Sequence, residues 1–217
     1  MLNNHILVAL AHPDDESFGA GGTISKYTTE GIPVTYACAT LGEMGRNMGT
    51  PVFANRETLP VLRKQELKEA CSALGIKDLR MLGLRDKTLE FENSDIIMDM
   101  IYEILLEIKP KLVITFYPGL GVHPDHNTIG EATILAISKL PPELKPEIHC
   151  LAVSKNSEDV LGKPDIVRDV TPFIEHKYNA LKAHRSQTEH MLASIKDPLS
   201  DQSEWAVRFR YERFWIY

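Results

Sequence analysis

The sequence predicts an α/β protein with a mostly parallel central sheet, arranged as a Rossmann-like three-layer sandwich. Short apolar runs alternate along the chain with longer segments of helical periodicity, the pattern of strands joined by crossover helices. The length of 217 residues suits one domain that buries a sheet between two helical layers. No repeat, linker or low-complexity tract divides the sequence, so residues 1–217 are expected to form a single domain.

Strands are expected where an apolar run is bounded by turn-forming residues. The first such run ends at Pro13 and the second follows Gly31 and Pro33. The predicted strands are residues 5–11, 34–40, 78–84, 111–117 and 147–153, with a terminal edge strand at 208–217.

Helices are expected between these strands, with starts and stops marked by caps, glycine and proline. Gly75 ends one of them, Ser94 caps another, and Pro60 is tolerated only in a first turn. The predicted helices are residues 19–30, 57–74, 94–109, 127–140 and 174–192.

Composition excludes several classes of partner. The net charge of −6 and the isoelectric point near 5.8 leave no basic stripe to neutralise a phosphate backbone, so no nucleic acid is expected. The apolar run at residues 6–11 is too short for a signal peptide or a membrane span, so we expect no membrane association. Cys38, Cys71 and Cys150 lack paired spacing, which indicates core residues in a reducing compartment and a cytoplasmic protein.

Two polar segments follow predicted strands and carry metal-ligand chemistry. The segment His12-Pro-Asp-Asp-Glu16 follows the first strand, and His123-Pro-Asp-His126 follows the strand at 111–117. His12 and Asp15 lie three residues apart, so a helical turn lets both face one point. With His126 as a third ligand, one coordination position stays open for water, as in catalytic zinc sites.

These two segments are also compatible with simpler roles. The carboxylates after His12 could simply cap a helix, although two His-Pro-Asp tripeptides beyond two strands favour a shared site. Two imidazoles and one carboxylate also accept iron, manganese or cobalt. A nucleotide site is disfavoured because acidic residues stand where a phosphate loop needs glycines and free N–H groups. A non-catalytic metal-binding module on a Rossmann-like sheet stays open.

Together the two segments resemble the LmbE-like (PIG-L) family of zinc-dependent deacetylases, which act on N-acetylglucosamine conjugates. Within that family the chain is similar to the bacillithiol-pathway deacetylases of Bacillus-type bacteria, whose substrate is N-acetylglucosaminyl malate. The similarity extends to the glycine-rich turn after Glu16, to the helix containing Arg63, and to the segments Thr40-Leu-Gly-Glu43, Gly83-Leu-Arg-Asp86 and Ala183-His-Arg-Ser-Gln187.

The resemblance implies an LmbE-like deacetylase fold and a role for each matching residue. It implies that zinc is the cofactor, bound by His12, Asp15 and His126. It also implies that Asp14 is the general base. Whether Asp14 or the second segment protonates the departing amine stays open.

The same resemblance implies further roles around this centre. His123 matches the imidazole that assists at the substrate carbonyl, and Asp125 is expected to orient that ring as its charge develops. Arg63 matches a basic residue near the active site. Glu43 and Asp86 match positions associated with substrate hydroxyls or with site architecture.

Three features are less determined. Arg46, in a glycine-flanked loop, is a candidate to bind an anionic aglycone such as malate, the alternative being a solvated loop. Some relatives carry an aromatic residue shortly before the assisting imidazole, whereas here residues 117–122 leave that oxyanion role unassigned. His184 lies in a predicted helix, where a lone histidine is more often structural, and its late motif alone connects it to the site.

The sequence therefore predicts a zinc-dependent hydrolase that removes an N-acetyl group from a small-molecule glycoconjugate, with N-acetylglucosaminyl malate as the favoured substrate. The alternatives are a deacetylase or amidase of another glycan or thiol conjugate, and the non-catalytic module. The resemblance also implies a homo-oligomer, either a trimer or a hexamer.

Overall fold

A computed structural model describes residues 1–195 and 197–217, and its seven strands form one sheet. This confirms the predicted α/β class. The spatial order is β3-β2-β1-β4-β5-β7-β6. The strands are β1 (Asn3–Leu10), β2 (Val34–Cys38), β3 (Asp78–Met81), β4 (Pro110–Phe116), β5 (Glu147–Leu151), β6 (Ile166–Asp169) and β7 (Tyr211–Ile216).

The parallel part of the sheet reverses its winding between β1 and β4. From β1 the chain proceeds outward to β2 and β3, and it then returns to place β4 and β5 on the other side of β1. β1 pairs in parallel with both β2 and β4. The carboxyl ends of β1 and β4 are therefore neighbours at the switch point, where open α/β sheets bind ligands.

Helices cover both faces of the sheet and seal β1, whose residues from Ile6 to Leu10 have no exposed surface. In one group α6 packs against both α1 and α2, and a second group contains α3 and α4. The helices are α1 (Asp15–Thr29), α2 (Leu59–Ala73), α3 (Ser94–Ile108), α4 (Pro124–Ser138), α5 (Ser157–Leu161), α6 (Ile174–Ala183), α7 (Arg185–Leu192) and α8 (Glu204–Phe209). Within the described ranges, no helix has the length and apolarity required to cross a membrane.

Two helices begin earlier than predicted. α1 starts at Asp15 rather than at residue 19, and α4 starts at Pro124 rather than at residue 127. The glycines at 19–22 lie inside α1, where a Cβ on Gly22 would come within 2.3 Å of the Val170 Cβ. These glycines permit close packing rather than opening the helix. The early start of α4 also places His126 in its first turn.

Three further predictions about elements were wrong. The expected helix 174–192 is broken at His184 into α6 and α7. Asn93, not Ser94, caps α3, and its side chain accepts the Asp95 N–H. The terminal strand β7 is not an edge strand, because it lies antiparallel between β5 and the unpredicted β6.

The three cysteines and one of the two tryptophans lie in the interior. Cys38, Cys71 and Cys150 are buried and unpaired, as expected for core residues. Trp215 is also buried and donates its indole N–H to the Gly162 carbonyl, whereas Trp205 is 43% exposed.

A buried ion pair anchors β7 to the helices on one face. Lys177 on α6 and Glu212 on β7 are 1% and 2% exposed, and Lys177 Nζ lies 2.7 Å from Glu212 Oε1. The Glu212 carboxylate also accepts the N–H groups of Gly22 and Thr23, each at 2.8 Å. A side chain from the last strand thus satisfies backbone donors in the middle of α1.

Lys177→Met should lower the free energy of unfolding by about 3 kcal/mol, because it leaves the Glu212 charge buried without its cation. Urea denaturation followed by circular dichroism measures this change. Lys68→Met, at an exposed position on α2, is the matched control and should be nearly neutral. Equal effects of the two substitutions would show that the two backbone N–H groups stabilise the buried Glu212 carboxylate without Lys177.

Candidate active site

The chain leaves β1 through a tight turn that presents three acidic side chains in succession. Asp14 adopts a left-handed conformation with φ 100° and ψ −28°, and α1 begins at the next residue. The His12 N–H donates to Asp15 Oδ2 at 2.8 Å, which closes the turn. The hydroxyl of Tyr36 on β2 donates to the His12 carbonyl at 3.0 Å. His12 and Asp15 therefore face the same point, as their spacing predicted.

The second segment follows β4 after the short loop of residues 117–122. His123 caps α4, and its Nδ1 accepts the Asp125 backbone N–H at 3.2 Å. The ring of Phe116, the last residue of β4, stacks on the His126 ring at 3.9 Å between centroids with an interplanar angle of 5°. This stacking fixes the plane of an imidazole that backbone turns alone would leave free to rotate.

Three donor atoms from the two segments converge. His12 Nδ1 lies 3.1 Å from His126 Nε2, and the Asp15 carboxylate approaches these two nitrogens at 3.6 and 3.3 Å. All three residues were predicted as metal ligands, and the structure brings them together. Their assignment as ligands stays a prediction.

Hydrogen bonds on the far sides of both rings set their tautomers. His126 Nδ1 lies 2.8 Å from the Gly121 carbonyl, which can only accept, so this nitrogen carries the proton. His12 Nε2 lies 3.1 Å from Asp125 Oδ2 and 3.2 Å from Asp86 Oδ1 and donates to these carboxylates. The nitrogens that face each other are therefore the unprotonated ones in the neutral rings.

This donor set fits a divalent cation. Two lone pairs at 3.1 Å repel unless a proton or a metal lies between them. Ligand bonds of about 2.0 to 2.1 Å in tetrahedral geometry place two nitrogens about 3.3 Å apart. Burial opposes protonation of His12, but its hydrogen bonds to the carboxylates of Asp125, Asp15 and Asp86 raise its pKa well above the usual value. The surroundings thus favour positive charge at this point.

A second group of potential ligands surrounds the other side of the His12 ring, with Asp86, His123 and Asp125 as its members. Its carboxylates already accept backbone donors. Asp125 accepts the N–H groups of Lys87 at 2.7 Å and Leu89 at 3.2 Å, and Asp86 accepts the Met44 N–H at 2.8 Å. These two side chains therefore support a ligand, and they raise its basicity from the outer shell.

Asp125 was expected to orient the His123 ring, but in the structure its carboxylate lies closer to the His12 ring. Its carboxylate lies 3.9 Å from His123 Nδ1 but 3.1 Å from His12 Nε2. His123 Nδ1 is occupied as an acceptor by the Asp125 backbone, so no N–H is directed at the carboxylate. Asp125 therefore orients His12, whereas the His123 ring is oriented by the backbone N–H of Asp125 in the first turn of α4.

Asp14 lies beside this centre and is paired with Arg63, the basic residue that was expected near the active site. Arg63 Nη2 lies 3.0 Å from Asp14 Oδ2. Removal from bulk water raises the pKa of Asp14 to about 6, although the Arg63 guanidinium opposes the shift. A carboxyl group of this kind is ionised at neutral pH and is still able to hold a proton during turnover.

Arg63 also fastens the backbone on both sides of the site. It is 4% exposed and donates to the carbonyls of Gly42 and Pro13. Gly42 has φ +62°, and a Cβ there would lie 1.8 Å from Arg63 Nη1. Only glycine fits both conditions, which explains the glycine in the segment 40–43.

Glu43 and Asp86 were expected either at substrate hydroxyls or in the site architecture, and Arg46 at an anionic aglycone. These roles stay predictions. Glu43 Oε2 accepts the Asp86 N–H at 3.1 Å, so these two residues build the site wall. Burial opposes ionisation of Asp86, but hydrogen bonds from His12 and the Met44 N–H, together with the charges of His12 and Arg63, lower its pKa to about 2. Arg46 is exposed, and no ion pair engages it in the part of the chain that the structure describes.

His184, which sequence connected to the site only through its motif, lies inside it. It is fully buried, and its Nε2 lies 2.6 Å from Glu16 Oε1. Burial would raise the pKa of Glu16, but the charge and hydrogen bond of His184 lower it. The sequence alone assigned Glu16 no role in the site.

Three other contributors went unnoticed in the sequence. Tyr36 and Phe116 look like ordinary strand residues, and Glu66 like an exposed helix residue. Glu66 is 4% exposed and binds the Ser186 N–H and hydroxyl, both at 2.7 Å. Of these three residues, only Tyr36 could have been identified from the sequence. A tyrosine inside a fully buried strand needs a hydrogen-bond partner for its hydroxyl.

Comparison with known proteins agrees with this geometry. A family model described as PIG-L, GlcNAc-PI de-N-acetylase, matches residues 7–137. The chain is 54% identical to a Bacillus cereus protein named probable N-acetyl-alpha-D-glucosaminyl L-malate deacetylase 2, covering 100% of this chain and 99% of the relative. A Bacillus subtilis protein of the same name is also 54% identical, with 100% and 98% covered. N,N'-diacetylchitobiose deacetylase from Pyrococcus horikoshii has a similar structure, with TM-score 0.74, 25% identity, and 98% of this chain and 83% of that chain covered.

The fold and the matched relatives define the class of protein: a hydrolase that removes the acetyl group from an N-acetyl amide. The chain belongs to the GlcNAc-PI de-N-acetylase (PIG-L) family, which confirms the LmbE-like resemblance of its two histidine segments.

Asp86→Asn should weaken metal binding about 10- to 100-fold, because His12 loses one of its two charged outer-shell partners. Titration with zinc in competition with a chromogenic chelator measures the affinity. Asp99→Asn, at an exposed position on α3, is the control. An unchanged affinity would show that Asp125 alone holds the His12 ring.

Proposed function

We propose that this chain is a zinc-dependent deacetylase of N-acetylglucosaminyl malate. The observation that carries the proposal is the convergence of two imidazole nitrogens and a carboxylate beside Asp14, a carboxyl group with a raised pKa. The names of relatives that match over nearly their whole length support the substrate. His12, Asp15 and His126 would hold the metal.

Zinc bound at these residues would lower the pKa of a water molecule toward about 7 and polarise the acetyl carbonyl. Asp14 accepts the proton of the attacking water, which its ionised form at neutral pH permits. Its pKa of about 6 then makes it able to return this proton to the departing amine. Arg63 keeps the carboxylate directed toward the site through their 3.0 Å contact.

His123 assists as a neutral hydrogen-bond donor rather than as the charged ring expected from the motif. Its Nδ1 accepts a backbone N–H, so its proton lies on Nε2. Burial is the largest cause that lowers its pKa below the usual value. The Nε2–H would donate to the oxygen of the tetrahedral intermediate, where negative charge develops. Asp14, rather than His123, is therefore the proton donor to the amine.

Cations at the rim suit an anionic aglycone such as malate. Arg46 lies in the loop 41–51, and Arg85 and Lys87 flank Asp86, which contacts a proposed ligand. All three are exposed, and none forms an ion pair with any residue that the structure describes. In a chain of net charge −6, unpaired cations around an acidic centre favour a substrate with carboxylates at a distance from the amide.

The same proposal includes a cytoplasmic location and no nucleic-acid or membrane partner, in keeping with three free buried thiols. A homo-oligomer, trimer or hexamer, stays a prediction. The rival substrate is another N-acetylated glycan, which the similarity to a diacetylchitobiose deacetylase supports. A non-catalytic metal module conflicts with a raised-pKa carboxyl group beside the donor set.

Asp14→Asn should lower kcat at least about 100-fold while the protein retains its metal, because the base is lost and the ligands are intact. Amine release and metal content are measured on the same preparation. Turnover close to that of the unaltered protein would exclude Asp14 as the base.

A panel of N-acetylglucosamine conjugates tests the substrate. Amine release should be fastest from N-acetylglucosaminyl malate, should cease after chelation, and should return with added zinc. Faster release from a neutral conjugate such as diacetylchitobiose would favour the rival substrate. The absence of metal-dependent release from every conjugate would favour the non-catalytic module.

A further inference from the structure

The conformation of Asp14 requires an external support. Its φ of 100° lies in the left-handed region, which costs free energy for any residue with a Cβ. The Asp14 side chain accepts no hydrogen bond from the α1 backbone that it precedes. Such a conformation persists only where surrounding groups determine it.

Glu16 provides this support from the first turn of α1. Its Oε2 accepts the Asp14 backbone N–H at 3.0 Å, and its side chain has no exposed surface. This N–H belongs to the peptide group on the N-terminal side of the Asp14 φ torsion. The hydrogen bond therefore restrains φ and, with it, the direction of the Asp14 carboxylate.

The second oxygen of Glu16 is held as firmly as the first. Glu16 Oε1 accepts the Ser17 hydroxyl at 2.5 Å and lies 2.6 Å from His184 Nε2. His184 also has no exposed surface. With both oxygens engaged, the carboxylate cannot rotate without breaking a buried hydrogen bond, which costs more than breaking an exposed one.

His184 is in turn fixed by the break between α6 and α7. Its backbone has φ −76° and ψ 46°, and its carbonyl accepts the N–H groups of Gln187 and Thr188. Glu66 on α2 binds Ser186 through two hydrogen bonds of 2.7 Å and so holds the start of α7. A continuous series of buried contacts therefore leads from α2 to Asp14.

The His184 imidazole lowers the stability of the fold. Its Nδ1 is buried with no hydrogen-bond partner among the described residues. A leucine would fill the volume without an unsatisfied polar atom. A residue needed only for packing does not require the imidazole, whereas a residue that must fix Glu16 does.

We propose that Glu16 and His184 are positioning residues of the deacetylation reaction, which hold the Asp14 backbone in the left-handed conformation that directs its carboxylate to the attacking water. This inference rests on the proposed role of Asp14 as the base. Neither residue contacts the proposed metal ligands through its side chain, and both act through Asp14.

The test is a double-mutant cycle between His184→Leu and Asp14→Asn, assayed with N-acetylglucosaminyl malate in the zinc-loaded protein. His184→Leu alone should lower kcat about 10- to 100-fold, as misplacement of a catalytic group does, with KM changed less than about twofold and metal content unchanged. In the Asp14→Asn background the same substitution should have no further effect, because the residue it positions is already absent.

Two variants separate positioning from folding. His184→Gln retains an N–H donor for Glu16 and should recover most of the lost kcat. Glu16→Gln keeps the side-chain volume but weakens the contact, and it should lower kcat as His184→Leu does. His190→Leu, at an exposed position on α7, is the matched control and should leave kcat unchanged. Thermal denaturation verifies that each variant is folded.

The outcomes distinguish this inference from the proposed function. Full activity of His184→Leu, or an equal loss in both backgrounds, would overturn the positioning role while Asp14 remained the base. Failure of Glu16→Gln to lower kcat would also overturn it. Retained activity of Asp14→Asn alone would instead overturn the proposed mechanism.

Discussion

The parallel pairing of β1 with β4 is the constraint on which the site depends. The register places Leu7 beside Val113 and Val8 beside Ile114. Two segments more than a hundred residues apart in sequence thereby leave the sheet at adjacent points. A side-chain period of two in strands means that a slip of one residue would turn the following segment to the other face. The buried faces of both strands oppose such a slip, so core packing secures the geometry of the chemistry.

The site also shows how one residue type takes several roles through its surroundings. Asp15 faces two imidazole nitrogens, Asp125 accepts two backbone N–H groups, and Asp14 has lost bulk water and faces a single guanidinium. Glu16 is neutralised by a buried imidazole. Environment assigns these carboxylates to metal binding, support, proton transfer and anchoring.

Sequence predicted the parts of this protein that depend on local pattern. Apolar runs and helical periodicity identified most elements, and the three residues that converge were found because they stand directly after strands. The partner of Asp125 could not be found, because the 3.1 Å contact with His12 spans 113 positions and spacing gives no sign of it. His184 was ambiguous because a helix break leaves no periodicity signal. The order of β5, β7 and β6 depends on tertiary packing that strand propensity does not report.

The interior place of β7 has a consequence for biosynthesis. Among the described strands β6 pairs only with β7. Because β6 is synthesised first, it has no strand to pair with until β7 has been synthesised. Until then β5 presents a bare edge, and a bare edge is a template for pairing with another chain. Sheet completion and the docking of Glu212 onto α1 therefore wait until β7 has been synthesised. Both catalytic segments, at residues 12–16 and 123–126, are synthesised while β5 still presents this open edge.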